Sequence, residues 1–227
     1  MFFYVLYQKF ENGKIYIKNN ESYIVRDFAD ELWRINALGK NLDSGICGLK
    51  SNGCHQTFEN GRVYYSKNHK AHLVYGAFAE CYDRKKGEEG ILGYPISEAE
   101  KAVGGLVQKF ETGNIYWSEA TGAWDVSGGI YQTYLKNGTE WGALGYPTSS
   151  EQKNQSGIIY QTFEHGTIYW DVDTGAWVVR DFAAQKWEAL GATKSKLKKI
   201  LSNGACGLIK GGCYQAFETG NIYWSEA

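Results

Sequence analysis

The sequence predicts an α+β protein in which five repeats, each a β-hairpin followed by a short helix, close into a propeller-like ring with pseudo-fivefold symmetry. The first observation is a hexapeptide of the form Gln-x-Phe-Glu-x-Gly, which recurs five times at intervals of roughly fifty residues. The second is a stretch of helical periodicity between successive copies. The third is the composition, because 15% aromatic residues and 28 Gly beside only 2 Pro favour many short strands and tight turns.

The hexapeptide predicts the hairpin of each repeat, since extended-favouring residues flank a Glu-x-Gly turn. Threonine and histidine share the turn position with asparagine, so we expect a type I turn with a G1 bulge at the glycine. On that register Phe10 pairs with Lys14 and Gln8 with Tyr16, which would place glutamine, phenylalanine and tyrosine on one face. The repeated glutamines are Gln8, Gln56, Gln108, Gln161 and Gln215, and the repeated tyrosines are Tyr16, Tyr64, Tyr116, Tyr169 and Tyr223.

Short helices are predicted between the hairpins. Residues 25–29 and 179–183 are near copies, and Val179, Ala183, Trp187 and Leu190 follow one another at helical spacing. Equivalent helical segments run from about 73 to 88 and from about 130 to 141. A Leu-Gly pair closes each repeat. A glycine just after a helix, followed by a proline, is typical of the end of a helix. These pairs are Leu38-Gly39, Leu92-Gly93, Leu144-Gly145 and Leu190-Gly191.

We predict one repeat domain over residues 1–227. Open solenoids usually carry polar capping repeats, whereas this chain begins with apolar residues and finishes inside the fifth hairpin, which favours ring closure. The last four residues stand where the third repeat continues towards a helix, so we expect a piece of a longer protein. The predicted units are approximately 1–39, 40–93, 94–145, 146–191 and 192–227.

Four of the five cysteines form two matching frames with six residues between the members. That spacing suits a small hairpin closed by a disulfide better than a metal site, which usually needs Cys-x2-Cys and further ligands. Disulfides favour an oxidising compartment, with Cys81 as the odd thiol. The alternative is that all five are small buried hydrophobes in a reduced protein. The paired candidates are Cys47 with Cys54 and Cys206 with Cys213.

Charge and motifs argue against several function classes. The net charge of -1 provides no field that would attract nucleic acid or an anionic membrane. The apolar run over 1–7 is too short to span a bilayer and resembles no targeting signal.

We find no carboxylate pair, metal cluster or nucleophile with its base, so we expect neither an enzyme nor a cofactor. His69 with His72 suits a structural or solvated pair. The basic cluster at 194–199 suits a solvated loop or a contact with an acidic polymer.

Candidate ligand-binding residues come from the repeated positions. The glutamine amides and tyrosine hydroxyls named above could hydrogen-bond sugar hydroxyls, or could satisfy buried backbone groups. Trp124 and Trp177 follow Gly-Ala in predicted loops, where an indole ring suits a sugar platform. Core positions are expected for Trp117, Trp170 and Trp224.

The string Leu-Gly-Tyr-Pro, then the hairpin, then Thr-Gly-Ala-Trp resembles the LGFP repeat of actinobacterial cell-envelope proteins. The resemblance covers nearly the whole chain and is closest over 91–191. It departs from the pattern at 38–41 and 190–193, and in the paired cysteines. The resemblance implies a module that tethers enzymes such as mycoloyltransferases, whose catalytic domain is fused to the repeats, to cell-wall polysaccharide.

The sequence therefore predicts a secreted, lectin-like module that binds or anchors to cell-wall polysaccharide or another glycan without transforming it, in an extracellular or cell-wall location. One alternative is a structural or protein–protein interaction platform. Another is an accessory module of a glycan-active enzyme whose catalytic domain is not in this chain.

Overall fold

The computed structural model describes residues 6–18 and 20–225, so the apolar residues 1–5 and the last two residues lie outside the described part. The described part of the chain is mostly β, with five small antiparallel sheets and four α-helices, rather than a balanced α+β protein. The helices are α1 (Asp30–Asn36), α2 (Gly76–Arg84), α3 (Gly128–Lys136) and α4 (Asp181–Ala189). The strands are β1 (Leu6–Phe10), β2 (Gly13–Lys18), β3 (Glu21–Arg26), β4 (Ile46–Cys47), β5 (Cys54–Phe58), β6 (Gly61–Ser66), β7 (Lys70–Val74), β8 (Glu100–Ala102), β9 (Gly105–Phe110), β10 (Gly113–Ser118), β11 (Gly122–Ser127), β12 (Gln152–Lys153), β13 (Ile159–Phe163), β14 (Gly166–Asp171), β15 (Gly175–Val179), β16 (Ala205–Cys206), β17 (Cys213–Phe217) and β18 (Gly220–Trp224).

The five sheets are separate from one another, and their strand orders are β1-β2-β3, β4-β5-β6-β7, β8-β9-β10-β11, β12-β13-β14-β15 and β16-β17-β18. A closed ring or propeller is not shown, and ring closure stays a prediction. Two compact units are present, one comprising 1–101 with 106–115 and the other 102–105 with 116–227. The predicted single domain and its unit boundaries also stay predictions.

The predicted helices are present, but three of them begin later than expected. The first residues of those segments lie in strands β3, β7 and β15, while α1, α2 and α4 start at Asp30, Gly76 and Asp181. Val179, Ala183 and Trp187 are fully buried, as their spacing predicts. Leu190 does not belong to that stripe, because it lies beyond α4 and is 49% exposed. Among the described residues, no helix combines the length and the apolar character needed to cross a membrane.

The predicted hairpin register is wrong by one residue. Phe10 pairs with Gly13 and Gln8 pairs with Ile15, across a two-residue turn in which Glu11 and Asn12 keep negative φ. Glutamine and phenylalanine therefore share a face with the β-branched residue, while the tyrosine lies on the opposite face. The turn glycine serves close packing rather than a bulge, because a Cβ on Gly13 would lie 2.6 Å from the carbonyl oxygen of Val25 in β3.

Each helix carries one aromatic residue that lies between consecutive hairpins. The Tyr134 ring lies 5.2 Å from that of Tyr116 in its own hairpin and 4.7 Å from that of Phe163 in the next. Its hydroxyl donates to the carbonyl of Gly145 at 2.8 Å, which ties the helix to the following Leu-Gly pair. The same position is occupied by Trp33, Tyr82 and Trp187. Their indole N–H or hydroxyl groups donate hydrogen bonds to the carbonyls of Gly39, Gly93 and Lys198, respectively. The repeats therefore interlock through aromatic rings.

Both predicted disulfides are present. Cys47 bonds to Cys54 and Cys206 to Cys213, each across a pair of antiparallel strands. Cys81 is fully buried and forms no disulfide.

Removing one disulfide is expected to destabilise the protein by about 2–3 kcal/mol, since a short closed loop restricts the unfolded chain by roughly that amount. The test is urea unfolding of the Cys206→Ala/Cys213→Ala double variant beside the unchanged protein. The Cys81→Ala variant is the control, and its unfolding midpoint should still fall when a reductant is added. An unchanged free energy of unfolding in the double variant would contradict the expectation.

Candidate ligand-binding grooves

The repeated glutamines are buried in four of the five repeats and serve the backbone. The Gln161 amide donates to the carbonyl of Asp125 at 2.6 Å and to that of Ser149 at 2.8 Å. Each buried amide bonds to the loop before its own hairpin, and three of them also reach the last strand of the preceding sheet. A ligand contact by these glutamines stays a prediction, and their burial favours the structural interpretation. Gln56, Gln108, Gln161 and Gln215 are at most 1% exposed, whereas Gln8 is exposed.

The repeated tyrosines divide in the same way. Tyr16, Tyr64, Tyr116 and Tyr169 are at most 4% exposed, and Tyr223 is 68% exposed. Burial raises the pKa of the Tyr64 and Tyr169 hydroxyls above the usual range, so both stay neutral at physiological pH. Four of the five rings therefore belong to the core.

Trp124 and Trp177 do not lie in loops, which corrects the sequence-based expectation. They sit in strands β11 and β15, and Gly122 and Gly175, at φ +75° and +85°, turn the chain into those strands. The Trp124 indole donates to the carbonyl of Thr121 at 2.6 Å. The buried Trp177 indole nitrogen has no hydrogen-bond partner within the described residues. Both rings are half-buried, as are Trp117 and Trp170, while Trp224 is 43% exposed and is not a core residue.

The turn glutamates have a role that the sequence did not indicate. The carboxylate of Glu111 accepts the Tyr94 amide at 3.1 Å, and that of Glu164 accepts the Tyr146 amide at 2.7 Å. A Cβ on Gly93, which has φ +68°, would lie 2.2 Å from the Glu111 carboxylate oxygen. The Leu-Gly pair thus packs its glycine beneath a hairpin carboxylate. The available signal was the similar spacing from Gly39, Gly93 and Gly145 to the glutamate of the following hairpin, Glu59, Glu111 and Glu164.

Most charged side chains of the basic and histidine clusters have partners. Lys199 pairs with Asp171 and Asp173, and Lys198 pairs with Glu218. Three of the four histidines lie beside glutamates: His55 beside Glu88, His69 beside Glu111 and His72 beside Glu98. No group of ligands that could hold a metal ion occurs among the described residues.

An open groove of about 520 Å³ lies beside the second hairpin. Tyr75, which is 43% exposed, and the carboxylates of Glu59, Glu80 and Asp83 line it. The Arg62 guanidinium is held in place by Thr57 at 2.9 Å, by the Tyr64 hydroxyl at 2.8 Å and by Asp83 at 3.0 Å. Burial acts to lower the pKa of Arg62, but Tyr64, Asp83 and Glu88 outweigh it and raise the pKa. We call this the second-repeat groove.

A second open groove, of about 500 Å³, lies in the other compact unit between the 153–156 loop and the end of α4. Tyr160 supplies a ring, and Lys153, Asn154, Glu188 and Lys194 supply polar groups. The Asn154 amide donates to the Glu188 carboxylate at 2.9 Å. We call this the fourth-repeat groove. Of the residues singled out from the sequence, Tyr64 lines the second-repeat groove and Lys194 of the basic cluster lines the fourth-repeat groove.

A family model for the LGFP repeat matches the chain four times, over residues 38–90, 92–142, 144–195 and 201–227. Among curated proteins, none matches the chain significantly. LGFP repeats are non-catalytic modules of the cell envelope, and the two disulfides fit an extracellular protein. Since these four matches cover most of its length, the chain belongs to the LGFP-repeat family.

Proposed function

We propose that the protein is a non-catalytic module that binds or anchors to cell-wall polysaccharide or a related glycan. The observation that carries the proposal is the pair of open grooves, one in each compact unit, of about 520 and 500 Å³. Each combines a tyrosine ring with several hydrogen-bonding side chains. A ring can pack on the apolar face of a sugar while the polar groups bond its hydroxyls.

The second-repeat groove is already arranged for such contacts. Three hydrogen bonds fix Arg62, so little conformational entropy is lost when it meets a ligand. Glu80 makes no described contact and can accept hydrogen bonds from sugar hydroxyls. Tyr75 presents its ring at the junction between β7 and α2, where neighbouring backbone is already ordered.

More than one groove on one polymer explains why weak sites would suffice. A site with millimolar affinity corresponds to only about -4 kcal/mol. A second site on the same polymer can raise avidity by roughly 10²-fold without a new contact. We also propose that the repeats close into the predicted ring. Small-angle X-ray scattering of the protein in solution would test that closure.

The Tyr75→Ala variant is expected to bind isolated cell-wall polysaccharide about tenfold more weakly, a loss of about 1.4 kcal/mol, because the groove loses its ring. Binding is measured by affinity electrophoresis and by glycan array. The matched control is Trp141→Ala, which removes a 75% exposed ring that lines neither groove. Equal weakening in both variants, or none in either, would overturn the assignment. Failure of the unchanged protein to bind any glycan would favour an interaction platform instead.

A further inference from the structure

We infer that the fourth-repeat groove selects acidic sugar residues, those that carry a carboxylate or a phosphate. This inference rests on the proposed glycan binding and adds the charge of the ligand. Its basis is the set of charges that line the groove: Lys153 and Lys194 on the cationic side, and Glu188 as the single carboxylate.

The two lysines keep their charge available. Within the described residues, neither Lys153 nor Lys194 forms an ion pair, whereas Lys198 and Lys199 of the same basic cluster are already paired with acidic side chains. Glu188 accepts the Asn154 amide at 2.9 Å, which holds the carboxylate in place and leaves its negative charge in the sum. The formal charges of the groove side chains therefore sum to a net positive value, from two lysines and one glutamate.

The wall of the groove is preformed. The Asn154 side-chain oxygen accepts the amides of Ser156 and Ile158, both at 3.0 Å, which fixes the loop. The Tyr160 ring stacks on that of Tyr169 at 5.6 Å, and its hydroxyl donates to Gln152 at 3.1 Å. An acidic sugar would thus meet a ring and an amide that are held in place, together with two exposed lysine ammonium groups. Charge-assisted hydrogen bonds from lysine to a carboxylate or a phosphate are about twice as strong as neutral ones.

The second-repeat groove provides an internal contrast. Its side chains include three carboxylates, and its arginine is paired with Asp83 at 3.0 Å. An acidic sugar would be repelled there by the excess of negative charge. The two grooves therefore differ in the sign of the ligand charge that they favour, although they are nearly equal in volume.

The test compares three probes by isothermal titration calorimetry on the whole chain: an oligogalacturonate, its carboxyl-reduced form and a glycerol phosphate polymer. At low salt the unchanged protein should bind the oligogalacturonate at least about tenfold more tightly than the reduced form. The Lys153→Gln/Lys194→Gln variant should lose that preference to within about twofold. Raising the salt to about 0.5 M should weaken the acidic probe more than the neutral one.

The matched control is Lys67→Gln/Lys101→Gln, which removes the same charge from two exposed lysines that line neither groove. A preference for acid that survives in the groove variant, or that falls equally in the control, overturns the inference. So does equal binding of the acidic and reduced probes by the unchanged protein. Tighter binding of the phosphate polymer than of the uronate supports the inference and identifies phosphate as the acid. Binding of neutral glycan that depends on Tyr75 would leave the proposed function intact even where the inference fails.

Discussion

The Trp187→Ala variant is expected to lose about 3–5 kcal/mol of unfolding free energy, the largest effect of any single change considered for this fold. Trp187 is fully buried in the core of the fourth repeat. Its ring lies 5.1 Å from that of Tyr169 and 5.7 Å from that of Phe217, so it joins two successive hairpins. Its indole also donates to the carbonyl of Lys198 at 3.0 Å. Substitution by alanine would both leave a cavity and remove the indole N–H donor.

Urea unfolding followed by far-UV circular dichroism measures the effect. Trp141→Ala is the matched control, because the same residue type is 75% exposed there and its loss should change the free energy of unfolding by no more than about 0.5 kcal/mol. Trp187→Phe provides a milder variant that should fold even if the alanine variant does not. A loss below about 1 kcal/mol for Trp187→Ala would show that this ring does not join the repeats.

The repeated pattern made the hairpins, the helices and the disulfides predictable, because each depends on residues that are close in sequence. The strands that flank the hairpins, such as β11 and β15, were not predicted. Thr121-Gly122-Ala123-Trp124 suggested a loop, since a single glycine gives no indication that the chain turns back onto the hairpin. The register error has a related cause. The turn glycine is required by the nearby carbonyl of Val25, a contact that only the folded sheet reveals.

The grooves were beyond sequence-based prediction for a similar reason. Arg62, Tyr75 and Asp83 come from a hairpin, a strand end and a helix, and the fold brings them to one groove. The basic cluster was visible as a run of lysines. Which of those lysines are paired depends on acidic residues roughly twenty to thirty positions away, such as Asp171 and Glu218. Exposed rings such as Tyr75 lie outside the repeated positions, and the repeated aromatic residues turned out mainly to join the repeats.

The buried glutamines lead to the second large expected effect. Gln161→Leu keeps a side chain of similar size but removes both donors, so the carbonyls of Asp125 and Ser149 lose their partners in a buried site. Leaving a buried polar group unsatisfied costs about 1–3 kcal/mol, so the two together should lower the free energy of unfolding by about 2–5 kcal/mol. Thermal and urea unfolding of this variant measure the loss.

Gln8→Leu is the matched control, because Gln8 occupies the same place in the repeated hexapeptide but is exposed. Its substitution should leave stability within about 0.5 kcal/mol of the unchanged protein. A small loss for Gln161→Leu would mean that water replaces the amide and that the glutamine was free to serve a ligand. A large loss for Gln161→Leu with none for Gln8→Leu would mean that the same residue type joins the sheets where it is buried. The repeated glutamine would then be explained by backbone hydrogen bonding between successive repeats, and ligand selection would rest with residues that differ from one repeat to the next.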